Sequence, residues 1–228
     1  MKIGKTLLAL AAIGIWSGAV GASTIDTFED GDYSVAITAG SGTVANTQPG
    51  STSNIIGGFR TVTASTPAGR LNIDINTAGY NPGHLDIANS SGANGTVTIL
   101  WDANGAGLGG QDITDGGAST GFLLGFPNPA DNGLTFNFLV NGSSAATKTF
   151  ADGSVGGGFF IPFSTFSDSS VFTSVNSIQL TLSSSLAWDA TIDLATSSPT
   201  PVPVPAAFWL MGSAMLGLAR FSSRGRKA

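Results

Sequence analysis

The stretch Leu134-Thr135-Phe136-Asn137-Phe138-Leu139-Val140 puts an apolar side chain at every second position, Leu134, Phe136, Phe138 and Val140, with Thr135 and Asn137 between them. Successive side chains of a β-strand point to opposite faces, so this period of two predicts a strand with one face in a core and the other in water. The same period recurs to either side. Leu71, Ile73 and Ile75 share a face, as do Val97, Ile99 and Trp101, and again Ile178, Leu180 and Leu182. Leu186, Trp188, Ala190, Ile192 and Leu194 predict the last strand. Further strands are expected over Tyr33–Thr38, Ile55–Ala64, Gly121–Phe126, Ala145–Phe150 and Phe159–Phe163. Clusters of Gly, Asn, Asp and Ser separate these runs, and no central stretch has helical spacing. About ten strands in roughly 175 residues predict an all-β chain folded as a single β-sandwich of the jelly-roll kind.

Composition narrows the function classes. The chain has 228 residues, 32 of them Gly, with one His and no Cys. A disulfide framework, a Cys-ligated metal and a thiol nucleophile are therefore excluded. All 14 acidic residues lie between residues 23 and 200, where only Arg60, Arg70 and Lys148 are basic. Nucleic-acid binding needs clustered cations against phosphates, so no nucleic-acid partner is expected.

Both ends read as addresses. Residues 1–22 carry Lys2 and Lys5, an apolar run from Leu7 to Trp16, and small residues up to Ala22, the pattern of a signal peptide that signal peptidase removes before Ser23. The sandwich is then expected over residues 23–195, a Ser/Thr/Pro linker containing a proline motif over 196–205, and a hydrophobic helix with a basic tail over 206–228. The prolines Pro201, Pro203 and Pro205 hold an extended, accessible backbone. The helix is followed by Arg220, Arg224, Arg226 and Lys227, which stop translocation on the cytoplasmic side.

Proline motif, apolar helix and basic tail together resemble the PEP-CTERM class of sorting signals, in the variant Val-Pro-x-Pro-Ala, here Val202, Pro203, Val204, Pro205 and Ala206. The resemblance implies an exosortase-type membrane transpeptidase or protease as partner, transient anchoring by the C-terminal helix, and delivery to the cell surface or an exopolysaccharide matrix. The motif lacks the Glu of the commonest form, and its basic run is broken by Phe221, Ser222, Ser223 and Gly225. A second resemblance lies in Ile161–Phe166 and Phe172–Leu182, with Phe28-Glu29-Asp30-Gly31 and Ile192-Asp193-Leu194 at the two ends. These are similar to galactose-binding-like jelly rolls, which include carbohydrate-binding modules and often hold structural calcium where first and last strands meet.

Several motifs bear on chemistry. Asp26, Glu29, Asp30 and Asp32 gather four carboxylates within seven residues, and with Asp193 they form the candidate Ca2+ site, because calcium takes six to eight oxygen ligands. A solvated acidic turn is the plainer reading of the same residues. Asp102, Asn104, Asp112 and Asp115 form a second acidic group that fails the EF-hand pattern. Gly105 to Gly110 spells a dinucleotide fingerprint, but no helix pattern follows it. Gly117-Ala118-Ser119-Thr120-Gly121 spells a nucleophile elbow, yet His84 precedes it. No catalytic residue is assigned. Trp101 and Trp188 share parity with core positions, which leaves Tyr80 and His84, with Arg60 and Arg70 as partners, as the glycan candidates. The expected function is that of an exported, non-catalytic surface or matrix protein that binds glycan or calcium. The alternatives are a secreted polysaccharide-degrading enzyme and a purely structural matrix protein.

Overall fold

A computed structural model describes residues 23–77, 82–130, 133–150, 155–193 and 195–198. The signal segment, Tyr80, Leu194, the proline motif and the basic tail lie outside the described residues. The strands are β1 (Thr24–Asp26), β2 (Tyr33–Thr38), β3 (Val44–Pro49), β4 (Phe59–Ser65), β5 (Arg70–Ile75), β6 (Leu85–Asn89) and β7 (Thr96–Trp101). They continue as β8 (Gly121–Ala130), β9 (Thr135–Val140), β10 (Ser144–Thr149), β11 (Val155–Pro162), β12 (Ile178–Ser183), β13 (Asp189–Ile192) and β14 (Ala195–Ser198). Among the described residues there is no α-helix, only short 3-10 turns at Ile56–Gly58, Phe163–Thr165 and Ser169–Thr173.

The fold class is the one expected, an all-β sandwich. One layer is a six-stranded antiparallel sheet in the order β10-β9-β12-β7-β4-β3, with no bulge in any of its pairings. The other is built from two four-stranded sheets, β13-β6-β5-β2 and β1-β14-β8-β11. The Asp193 amide donates to the Gly125 carbonyl at 3.0 Å, so β13 and β14 follow one another along β8 and make the two sheets one layer. Inward residues of the alternating runs fill the space between the layers. Phe122 stacks on Phe138 with ring centroids 5.1 Å apart, and Phe163, Phe166 and Phe172 meet Phe122 edge-on. Trp101 and Trp188 are each 1% exposed, in the core as their parity requires.

Three expectations need correction. Leu186 is 59% exposed, because its amide bonds to the Ser184 hydroxyl in a turn and the strand begins only at Asp189. The run Ile55–Ala64 is not strand throughout: Ile56–Gly58 makes a 3-10 turn, with Gly57 at φ +68°, before β4 begins at Phe59. The linker cannot begin at residue 196, since Thr196 and Ser197 are buried within β14, between β1 and β8. The buried Ser197 hydroxyl has a partner there, accepting from the Ser23 amide at 3.1 Å.

A polar cluster crosses the interior at one point. Asp26 of β1 and Arg60 of β4 are both fully buried, and Arg60 Nη1 donates to Asp26 Oδ1 at 2.6 Å. Asp26 Oδ1 also accepts from the Phe28 amide at 2.8 Å, and Oδ2 from Trp101 Nε1 at 2.8 Å. Arg60 Nε donates to Gln48 Oε1 at 2.8 Å, and Nη2 to the Asp30 and Gly31 carbonyls. The guanidinium lies over the Phe28 ring, 5.2 Å from its centroid. Burial pushes the Asp26 carboxyl up, while Arg60, the Trp101 indole and the Phe28 amide pull it down. Gly31 has φ +72°, and a Cβ there would stand 2.8 Å from Gln48 Cβ and 3.1 Å from Arg60 Nη2, so the chain passes this cluster only as glycine.

Removing one partner of such a pair strands a buried charge, whereas replacing both with apolar groups need not. Asp26→Ala and Arg60→Met are each expected to lower stability by about 3–5 kcal/mol, and the double variant to lose less than the sum. Urea denaturation of the four proteins measures the cycle.

Candidate functional site

The outer face of β2, β5, β6 and β13 gathers a band of ionisable groups. Antiparallel register sets them in rows. Ser34 stands opposite Asp74, Asp74 opposite Asp86, and Asp86 opposite Thr191. The next row runs Ala36, Asn72, Ala88 and Asp189, and Thr38 faces Arg70 beyond it. On the other side Asn76 Nδ2 donates to Asp32 Oδ1 at 2.7 Å and to the Glu29 carbonyl at 2.7 Å. His84 Nε2 stands 3.9 Å from Asp193 Oδ1, with the two side chains 27% and 55% exposed. Five aspartates, Arg70 and His84 thus share one face.

Its centre is a depression of about 290 Å³ lined by Arg70, Asn72, Asp74 and Asp86, with small residues of β2 and β6 between them. Arg70 Nε donates to Asn72 Oδ1 at 2.8 Å, which fixes both planar groups and leaves the amide NH2 as an outward donor. Thr191 Oγ1 donates to Asp86 Oδ1 at 2.7 Å. The depression therefore offers planar donors at one end and carboxylate acceptors at the other, the two functions a polyhydroxylated ligand engages together. A second, apolar cleft of about 180 Å³ opens between β10 and β11, lined by Lys148, Phe159, Phe160 and Pro162.

Placement of the sequence candidates divides them. Arg60 is withdrawn as a glycan partner, since its guanidinium is buried against Asp26. Asp26 is likewise turned inward, with both carboxylate oxygens accepting hydrogen bonds from the chain itself. Asp30 faces the loop before β4, where its Oδ2 accepts from the Ser51 amide at 2.7 Å and from Asn54 Nδ2 at 3.1 Å. Asp32 and Asp193 come to the acidic face beside Asn76 and His84, so the five carboxylates expected to hold calcium do not converge on one point. Among the described residues no three His, Asp or Glu side chains are grouped as a metal site requires. His84 and Arg70 do lie on the acidic face, whereas Tyr80 falls outside the described residues.

Asp74 and Asp86 were not singled out from the sequence. The signal was present as outward Asp in Leu71-Asn72-Ile73-Asp74-Ile75 and Leu85-Asp86-Ile87, but only the hairpin register puts the two opposite each other. The glycine loop is held by the segment before β12: the Leu108 amide donates to the Asn176 carbonyl and the Gly110 amide to Asn176 Oδ1, both at 2.9 Å. Asp112 serves that loop, and hydrogen bonds from the Thr114 hydroxyl and amide hold its carboxyl below the usual carboxylate range.

No family model and no curated protein matches the chain. Among solved structures it is similar to a family 11 carbohydrate-binding module of a cellulosomal cellulase from Clostridium thermocellum, at 14% identity and TM-score 0.39, covering 82% of this chain and 99% of that one. It is also similar to the family 11 module from Clostridium thermocellum in complex with a β-1,3-1,4-mixed-linked tetrasaccharide, at 15% identity and TM-score 0.41, covering 80% and 98%. At this level of likeness, neither module passes its ligand to this chain.

Like charges directly opposite on a sheet repel. Asp74→Asn is therefore expected to raise stability by about 0.2–1 kcal/mol in low salt, and less as salt screens the pair. Thermal melts at two ionic strengths measure it.

Proposed function

We propose that the chain is an exported, non-catalytic protein of the cell surface or extracellular matrix that holds a glycan in the depression between Arg70, Asn72, Asp74 and Asp86. The observation that carries this reading is the register-fixed set of planar donors and carboxylate acceptors on an open sheet face. Sugar hydroxyls both donate and accept, and pairing them with groups already held in place limits the entropy lost on binding.

The paired carboxylates favour one competing reading, hydrolysis of a polysaccharide. Directly opposed residues have Cβ atoms about 4.5–5.5 Å apart, close to the carboxyl separation of retaining glycosidases. In such enzymes, however, the two groups flank the scissile bond. Asp74 and Asp86 project side by side from one sheet surface, so both would meet a sugar from the same side. Binding is the chemistry this arrangement supports.

The route belongs to the same proposal. Signal peptidase would release residues 1–22, and an exosortase-type enzyme would act at Val202–Ala206, with Arg220, Arg224, Arg226 and Lys227 holding the tail inside until then. Support comes from where the sandwich closes. The Ser23 amide donates to Ser197 Oγ at 3.1 Å, and the Ser197 amide to the Ser23 carbonyl at 2.8 Å. Every described strand therefore lies between the two expected cleavage sites.

Intact mass of the protein from membrane and medium fractions tests the route. A chain starting at Ser23 and ending near the Val202–Ala206 motif is expected, and a membrane-held chain retaining Arg220 to Ala228 would make the tail a plain anchor. Melting with soluble and matrix polysaccharides tests binding. A ligand at 100 times its Kd raises stability by about 2.7 kcal/mol, and Arg70→Ala or Asp74→Ala is expected to abolish the shift. A calcium arm in the same melts reports on the ion. No shift with any polysaccharide would leave a scaffold.

A further inference from the structure

The outer face of the six-stranded sheet is chemically unlike the acidic face. Thr63, Thr98, Thr181, Asn137 and Thr147 stand opposite one another across five neighbouring strands. Two residues along, Ser65, Thr96, Ser183, Thr135 and Thr149 form a parallel rank. Nine of these ten positions carry a hydroxyl, seven of the nine as threonine, five of those in the repeats Thr61-Val62-Thr63, Thr96-Val97-Thr98 and Thr147-Lys148-Thr149. No Asp, Glu, Lys or Arg projects from the strands on this face: Arg60 points to the core, and Lys148 shares the parity of the inner face, opposite Phe136. The chain keeps its charge elsewhere, five aspartates of it on the opposite layer.

Regularity is the second feature. Every pairing in this sheet runs without a register shift, whereas β1 and β11 of the other layer both carry one. The hydroxyls therefore repeat at about 4.8 Å between strands and about 6.7 Å between ranks. Branching at Cβ restricts threonine to few rotamers, and cross-strand contacts fix the hydroxyls further, at 3.1 Å between Thr98 and Thr181 and 2.9 Å between Thr135 and Thr149. The two ranks contain no long flexible side chain and no aromatic ring.

We propose that this face adsorbs to ice, its threonine ranks holding an ordered layer of water continuous with the crystal. A rigid lattice of small groups, seven of them a methyl beside a hydroxyl, leaves bound water free to adopt the spacing of neighbouring water. Charged groups would impose their own hydration shells. The other occupants fit less well. A sugar surface would meet neither an aromatic platform nor the charged donors and acceptors of the other layer, and a second copy stacking face to face would bury hydroxyls away from water. The proposal does not depend on glycan binding by the other layer.

The test uses the purified full chain in its exported form, growing ice crystals in a nanolitre osmometer. Native protein is expected to hold crystals faceted and static over a gap below the melting point. Thr98→Tyr, at the centre of the array, is expected to abolish that gap with an unchanged thermal melt, and Ala88→Tyr on the acidic face to keep it. Should Thr98→Tyr unfold, Thr181→Tyr on the adjoining strand takes its place. Unfaceted crystals that grow freely with native protein would overturn the proposal, as would a gap that survives both tyrosine variants. It would also be overturned if Thr98→Tyr abolished only adsorption to insoluble cellulose or only self-association in sedimentation.

Discussion

The charge pair of Asp26 and Arg60 is the constraint around which the two layers are arranged. A guanidinium and a carboxylate removed from water need their remaining hydrogen-bonding capacity filled, and here the fillers come from far along the chain: Gln48, Trp101, the Phe28 amide, and the carbonyls of residues 30 and 31. Satisfying them sets the position of β1 against β3, β4 and β7. It also shapes the acidic segment that follows β1. With Asp26 pulled inward and Gly31 forced past Gln48, the Glu29 carbonyl and the Asp32 carboxylate are turned out toward Asn76. A structural device in the core thus decides which carboxylates the surface receives.

One rule of alternation builds both outer faces and leaves their chemistry open. Burial demands Leu71, Ile73 and Ile75 on one side of β5, and Val97, Ile99 and Trp101 on one side of β7. Residues between them face away from the core, so core packing does not select them. On β5 they are Arg70, Asn72 and Asp74, and on β7 they are Thr96, Thr98 and Leu100. The contrast between a carboxylate face and a hydroxyl face is therefore free of the demands of the fold, which is why it carries information about ligands.

Legibility followed the same division. Leu134 to Val140 announced β9 because every inward position is apolar and Thr135 and Asn137 between them are polar, and the two core tryptophans were placed by parity alone. Parity without a partner misled at Leu186, where a serine turn interrupts the run. Arg60 could not be read as buried, since nothing near it in sequence names Asp26, 34 residues away, as its counterion. The polar strands β3 and β14 were missed for a related reason: Val44-Ala45-Asn46-Thr47-Gln48-Pro49 and Ala195-Thr196-Ser197-Ser198 owe their extended form to pairing, and pairing is a long-range fact. Asp74 and Asp86 became a site only through the register of one hairpin.

The union of β1 with β14 also governs when the molecule can become itself. Thr24 lies opposite Thr196, so the earliest strand waits for the latest, and β8 likewise lacks one of its neighbours until residue 198 has emerged. A chain growing in the direction of synthesis therefore cannot close this sandwich early. Such topologies fold slowly because distant segments must meet before their contacts repay the lost freedom. Delay of this kind leaves the two layers unjoined until the last described strand has been made.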